Sequence, residues 1–346
     1  MMTLQDRRLT LTQAVLHSIT SVRSAFTLLC IVCALITWRV QAQESIHTYA
    51  EILKIMEESQ LVYEIGIDYE PPDSVEQPTV LSNQFYVVNH EDGSITLHRY
   101  EITESANAIL DSGEVAFNKG DTQEARALYQ NLLRGEPDYH FALTLIGDTF
   151  YLEGAYDSAR TYFMKAIARN RVDYSAWWFL ADTYGKLDMA DSALSCMTIA
   201  HLLNINHSNM KKMLVKYRER AGLSWKEWSL APVYSLAEAG RNIRISSTEE
   251  WLAYAMVKAV WKYEPGYVQR MMGADSTQTD MILEEKEAIV LYAFTNKRED
   301  LIGTFENRQG DSMVLYELVA RRIPHVMLLL PASQFEHVMD YVKSYH

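Results

Sequence analysis

The chain has 346 residues, 48% of them hydrophobic and 22% charged, with a formal net charge of −13. That length holds more than one minimal core, and the composition is globular rather than disordered. The acidic balance opposes binding to nucleic acid or anionic lipid, both of which need a basic footprint.

Residues 1–42 read as a secretory signal. Arg7, Arg8 and Arg23 form a positive n-region. Residues 25–38 are an apolar run of 14 residues, too short to span a bilayer comfortably, and Val40-Gln41-Ala42 offers short side chains for cleavage before Gln43. The expected location is periplasmic or secreted, with no stable membrane span after cleavage; an uncleaved anchor is the alternative. Losing four arginines (positions 7, 8, 23 and 39) and Asp6 takes the net charge from −13 to −16. Cys30 and Cys33 go with the signal, so Cys196 is left alone and no intramolecular disulfide is expected.

Residues 43–105 form an N-terminal region. Residues 46–60 have helical spacing, and 70–78, rich in proline and acids, read as a loop. FYVVN (85–89) and SITLHRY (94–100) read as a β-hairpin turning at Asp92-Gly93. A lone hairpin is marginal, so it is expected to lie against the first helices after it or against the C-terminal part.

From residue 106 the sequence repeats with a period of 34. Leu143 falls on Trp177, Gly147 on Ala181, Phe150 on Tyr184, Ala159 on Ala193, Phe163 on Met197 and Ala166 on Ala200. One period upstream stand Ile109, Gly113, Ala116, Ala125, Tyr129 and Leu132, and Pro137 closes that unit. Small residues at 147, 159, 181 and 193 let two helices approach, while Trp177, Phe163 and Tyr184 fill the space between them. The segments 116–129 and 151–163 resemble the tetratricopeptide repeat family, with repeats at 106–139, 140–173 and 174–207. Departures are Ala116 in place of an aromatic, and Arg171 and Ile205 in place of the terminal proline. The resemblance implies antiparallel helix pairs that stack because no unit buries its face alone. Residues 208–221 fit a capping helix with Met210, Met213, Leu214 and Tyr217 inward and Lys211, Lys212, Lys216, Arg218 and Arg220 on the solvated side.

The resemblance also implies a concave groove lined by the first helix of each unit. Its positions here are Leu110, Thr144 and Trp178; then Glu114, Asp148 and Asp182; then Phe117, Tyr151 and Gly185; with Phe141 nearby. Trp177 is thus expected in the core and Trp178 in the groove, unless the hairpin or the C-terminal helices cover it. Acids and aromatics together suit a protein or peptide partner, basic with apolar anchors. Family members that clamp a carboxylate terminus need Lys, Arg and Asn at these positions, so that ligand class is argued against.

Residues 223–346 match no family pattern. A second hairpin near Gly240 is expected within 232–246. Helices follow at 250–264, with Ser247-Thr248-Glu249-Glu250 as capping box, then at 280–296, at 312–321, and last after a cap at Ser333. Glu284, Glu285 and Glu287 read as a solvated helix face. There is no HExxH, phosphate-binding glycine loop, GxSxG or paired CxxC outside the signal. Cys196 reads as a buried thiol; His325 and His337 flank the last helix and could meet Glu336, but a metal or catalytic site is not expected there, and no cofactor is expected. The sum is a mainly α protein: a tetratricopeptide solenoid (106–222 with its cap), a small β-hairpin element before it, and an all-α, mostly helical C-terminal region (223–346). The expected function is a non-enzymatic protein–protein interaction scaffold. The alternatives are an enzyme with its site in 223–346, or a structural envelope component.

Overall fold

The computed structural model describes residues 46–71, 78–226, 230–273, 281–307 and 309–345. The expected signal and the acidic stretch 275–280 lie outside them. In chain order the elements begin with α1 (Tyr49–Glu57), β1 (Val62–Gly66), β2 (Phe85–Asn89) and β3 (Ile95–Arg99). Seven helices follow: α2 (Glu104–Asn118), α3 (Thr122–Gly135), α4 (Phe141–Leu152), α5 (Tyr156–Arg169), α6 (Tyr174–Lys186), α7 (Ala190–Leu203) and α8 (Ser208–Arg220). Then come β4 (Tyr234–Ala239), β5 (Asn242–Ser247), α9 (Leu252–Tyr263), α10 (Tyr267–Met272), α11 (Met281–Thr295) and α12 (Glu299–Glu306). The chain ends with α13 (Gly310–Val314), a π-helical turn at Leu315–Val319, α14 (Ala320–Arg322), a 3-10 turn at Pro324–Leu329 and α15 (Ala332–Tyr345). The protein is mainly α. No described helix is long and apolar enough to cross a membrane.

Two compact units emerge, and they divide the N-terminal region between them. Val80–Ser224 is one; the described residues of 46–79 and 225–345 form the other.

In the first unit, α2 pairs with α3, α4 with α5 and α6 with α7, and α8 packs on the end. The pairs follow the 34-residue period. Each turn places one residue in the left-handed region at the same repeat position: Gly120 at φ +84°, Gly154 at +74° and Asp188 at +56°. Glycine has no steric penalty there, and aspartate tolerates it better than most residues. The close approach inside each pair is also periodic. A Cβ on Gly113 would lie 2.4 Å from the Tyr129 ring, and one on Gly147 would lie 2.6 Å from the Phe163 ring. Cys196 is buried, and burial pushes its thiol up to about 12. In the capping helix, Met210, Leu214 and Tyr217 are inward as expected. Arg218 is buried too, its guanidinium donating to the Ser224 carbonyl at 3.1 Å.

The hairpin β2–β3 is antiparallel, Phe85 opposite Arg99 and Asn89 opposite Ile95, with Gly93 at φ +83° in its turn. With its flanks it forms a strap over the ends of the repeats. The C-caps of α3, α5 and α7 are Glu136, Asn170 and Asn204, again 34 residues apart. Glu136 accepts from Tyr100 and Thr103 hydroxyls, both at 2.7 Å. Asn170 donates to the Phe85 carbonyl at 2.8 Å, and Asn204 pairs with the Leu81 backbone. The helix ends satisfy the strap and the strap covers the helix ends.

In the second unit the order of the sheet is β1-β5-β4. β4 and β5 form the hairpin expected around Gly240, and β1 runs parallel to β5, Val62 beside Asn242. Strand β1 is not legible in the sequence. Every described element after β5 is helical, so the all-α description applies after the sheet. Helix α9 is buried on every side from Ala253 to Trp261. Its expected capping box does not form: Ser247 belongs to β5 and donates to the Val233 carbonyl at 2.7 Å, and Trp251 takes the N-cap position. Ser333 likewise lies inside α15, which starts at Ala332.

The acids of α11 overturn their sequence reading. Glu285 and Glu287 are fully buried. Glu287 accepts from Trp261 Nε1 at 2.6 Å, Tyr267 Oη at 2.9 Å and the His47 backbone N–H at 3.0 Å. Glu285 is bound by Lys258, Arg322 and the Tyr254 hydroxyl. Distant cations and donors, not solvent, satisfy these carboxylates.

Candidate partner-binding groove

The first helices of the repeats, α2, α4 and α6, carry the residues expected to line a groove. Glu114, Phe117 and Asp148 come together around a hollow of about 210 Å³, completed by Asn118, Tyr129 and Leu145. Glu114 is exposed and Asp148 half-buried. Burial first, and the charge of Asp182 second, push the Asp148 carboxyl up to about 6. Asp182 is also raised by burial, against the opposing pull of the Tyr217 hydroxyl, Lys216, Trp178 and Lys186. Tyr217 Oη donates to Asp182 at 2.8 Å. Tyr151 is raised by burial first and then by the charges of Asp182, Tyr156 and Asp148. Glu114 and Asp148 thus share one hollow with Tyr129, and Asp148 feels the charge of Asp182.

Not every expected groove residue is there. Leu110 is buried in the core with Ala106, Ala116 and Tyr129, while its neighbour Ile109 is half-buried. Tyr100 and Ile102, leading into α2, pack on the same cluster, and that helix's buried stripe runs at 106, 110, 113 and 116. Thr144 is also buried. Its hydroxyl donates to Asp173 Oδ2 at 2.8 Å, and Asp173 in turn caps α6 by accepting from the Ser175 and Ala176 N–H groups. Gly185 is covered by Tyr217, whose hydroxyl would lie 2.9 Å from a Cβ there. Phe141 packs edge-on against Tyr139 with centroids 6.2 Å apart.

The two tryptophans differ less than expected. Both are half-buried. Trp177 donates from Nε1 to the Arg171 carbonyl at 2.9 Å. Trp178 meets the His207 ring edge-on at 5.4 Å, so residues leading into α8 partly cover it. Its Nε1 is buried near Asp182 but outside hydrogen-bond alignment with any described residue.

Tyr129, Asn118, Leu145 and Tyr217 are the site residues that sequence reading misses. Tyr129 and Tyr217 read only as apolar filling, yet a tyrosine carries a hydroxyl that must find water or a partner. That hydroxyl is the signal that separates them from phenylalanine.

Among the described residues no group of His, Cys, Asp and Glu could hold a metal ion. Residues 142–173 match the family profile described as Tetratricopeptide repeat. No curated protein matches the chain. Among solved structures, the first such domain of human RPAP3 is similar at 18% identity, over 34% of this chain and 92% of that one, with a TM-score of 0.32. The first domain of Spaghetti (RPAP3) bound to the HSP90 peptide SRMEEVD is similar at 17% identity, over 35% and 96%, with a TM-score of 0.33. The corresponding figures for the Sgt2 domain of Aspergillus fumigatus are 15%, 37%, 91% and 0.32. The helical pair at 142–173 is a tetratricopeptide repeat, and helix pairs of the same 34-residue period flank it on both sides.

Proposed function

We propose that this protein is an exported, non-enzymatic interaction scaffold whose repeat groove binds a basic peptide or protein segment with apolar anchors. The observation that carries the reading is the hollow shared by Glu114, Asp148 and Phe117, with the charge of Asp182 acting on Asp148. Asp148 is held at about 6 by burial and by Asp182. A cation docking there relieves like-charge repulsion and replaces lost solvation, so the groove gains more from a lysine or arginine than an open surface acid would. The hollow beside Phe117 and Leu145 offers room for an apolar side chain. The same acids repel a carboxylate terminus.

The test is fluorescence polarisation with labelled peptides carrying lysine or arginine beside an aromatic residue, against charge-reversed copies. The expected result is binding of the basic set alone, weakened at high salt because exposed charges are screened over roughly 10 Å at 0.1 M. A Glu114→Lys, Asp148→Asn variant should lose it. Equal binding by that variant would leave the acids a solvated face. Export is tested separately, by sequencing the N-terminus of protein recovered from cells; a start near Gln43 is expected, and an intact Met1 on a cytosolic species would end that part of the reading.

A further inference from the structure

A second cavity among the described residues lies outside the repeats. The second unit holds one of about 820 Å³, and every residue lining it belongs to that unit. This is the size that holds a small organic molecule. The apolar part of its wall includes Leu230, Pro232, Leu236, Val268 and the indole of Trp261.

The polar wall is made of charges. Lys258 and Lys262 are one turn apart on α9; Arg321 and Arg322 come from α14. Carboxylates hold three of these cations. Glu284 and Glu285 bind Lys258, the latter at 2.8 Å. Glu285 also binds Arg322, and Glu317 binds Arg321 at 2.9 Å. Lys262 is exposed and forms no salt bridge among the described residues. Four cations thus face three carboxylates, and the cavity is locally positive in a chain of net charge −13.

Two features argue against a merely structural role. Buried ion pairs are poor stabilisers, since apolar packing of the same volume does as well or better. Here they border open space that side chains could have filled. The second feature is the π-helical turn Leu315–Val319, which puts Glu317 and Leu318 into the wall and leads to the two arginines. Single π turns inside helices are rare and frequently lie at functional sites.

We propose that this cavity binds a small organic anion with an apolar body: its charged group beside Lys262 and Arg322, its apolar part against Val268, Leu236 and Trp261. The cation left over from the ion pairs sets the specificity. A neutral molecule gains nothing from the excess cation, and a cationic one meets Lys262. Such a site is independent of the repeat groove.

The probe is decanoate, titrated calorimetrically into the purified full chain, with decanol and decyltrimethylammonium as neutral and cationic counterparts. Two exposed positions supply variants that leave the buried pairs intact. Lys262→Glu reverses the excess charge, and Ser235→Trp fills the cavity from β4. The expected result is saturable one-to-one binding of decanoate, at least tenfold weaker in Lys262→Glu and lost in Ser235→Trp, with thermal melts of both variants unchanged. No saturable binding of decanoate at concentrations up to about 1 mM would overturn the proposal. So would equal binding of the cationic probe, or decanoate binding indifferent to both variants.

Discussion

The side-chain amide of Asn204 forms two hydrogen bonds with the backbone of Leu81: it accepts from the Leu81 N–H and donates to the Leu81 carbonyl, each at 3.0 Å. Both residues are buried. The amide stands in for a neighbouring β-strand, and it does so at a helix C-cap, where Asn170 and Glu136 hold the same strap one and two repeats earlier. Asn204→Ala leaves two buried backbone groups without partners. The expected cost is about 2–3 kcal/mol, read by urea denaturation. Hydrogen exchange at the Leu81 amide should speed up in the same variant; unchanged protection there would mean that Asn204 does not hold the strap.

Asp148 makes stability depend on pH in an unusual direction. Its folded value of about 6 lies above the ordinary 3.8, so between these values the folded state binds more protons than the unfolded one. Its contribution is therefore fully present below the unfolded value and is lost as pH rises through 6. The loss is at most about 3 kcal/mol, and less with partial exposure. Asp148→Asn should gain stability over wild type at pH 8 and gain none at pH 3. Melts of both proteins across that range check it; parallel curves would dismiss the shift.

Glu285 acts in the opposite sense. Burial opposes its charge, but Lys258 and Arg322 outweigh burial and hold the carboxyl below its ordinary 4.5. Its stabilisation is present above that value and is lost as pH falls through the lowered folded one. Glu285→Ala leaves Lys258 and Arg322 without their shared partner and should cost about 3–5 kcal/mol. Calorimetry should show the second unit melting early while the repeats keep their transition. A single unshifted transition would mean that the pairs are replaceable.

Two glycines separate close packing from helix propensity. Gly303 in α12 has nothing within 4 Å of its ideal Cβ position, so Gly303→Ala should stabilise by up to about 1 kcal/mol. Gly147→Ala gains the same propensity but drives a methyl to 2.6 Å from Phe163. Overpacking costs about 1–3 kcal/mol, so the net effect should be destabilising. Denaturant midpoints moving in the same direction would refute the close contact.

The sequence by itself determined the repeat stack, its turns and its two hairpins. Those features rest on neighbours within 34 residues: a glycine facing an aromatic 16 positions on, a left-handed turn residue, an Asp92-Gly93 turn. Patterns of that range survive in a linear reading because the contacts they encode are local or repeated. Tertiary structure alone decided the rest. β1 joins β5 across 180 positions, and its short run carries no alternation to announce a parallel partner. Glu285 and Glu287 look like a solvated face until Lys258, Arg322, Trp261 and His47 arrive from elsewhere in the chain. Leu110 and Ile109 are equally apolar, and only the packed cluster shows that Leu110 is the buried one while Ile109 lies at its edge. A buried charge or an inward face is a property of the partner as much as of the residue, and the partner's position is fixed only when the chain has folded.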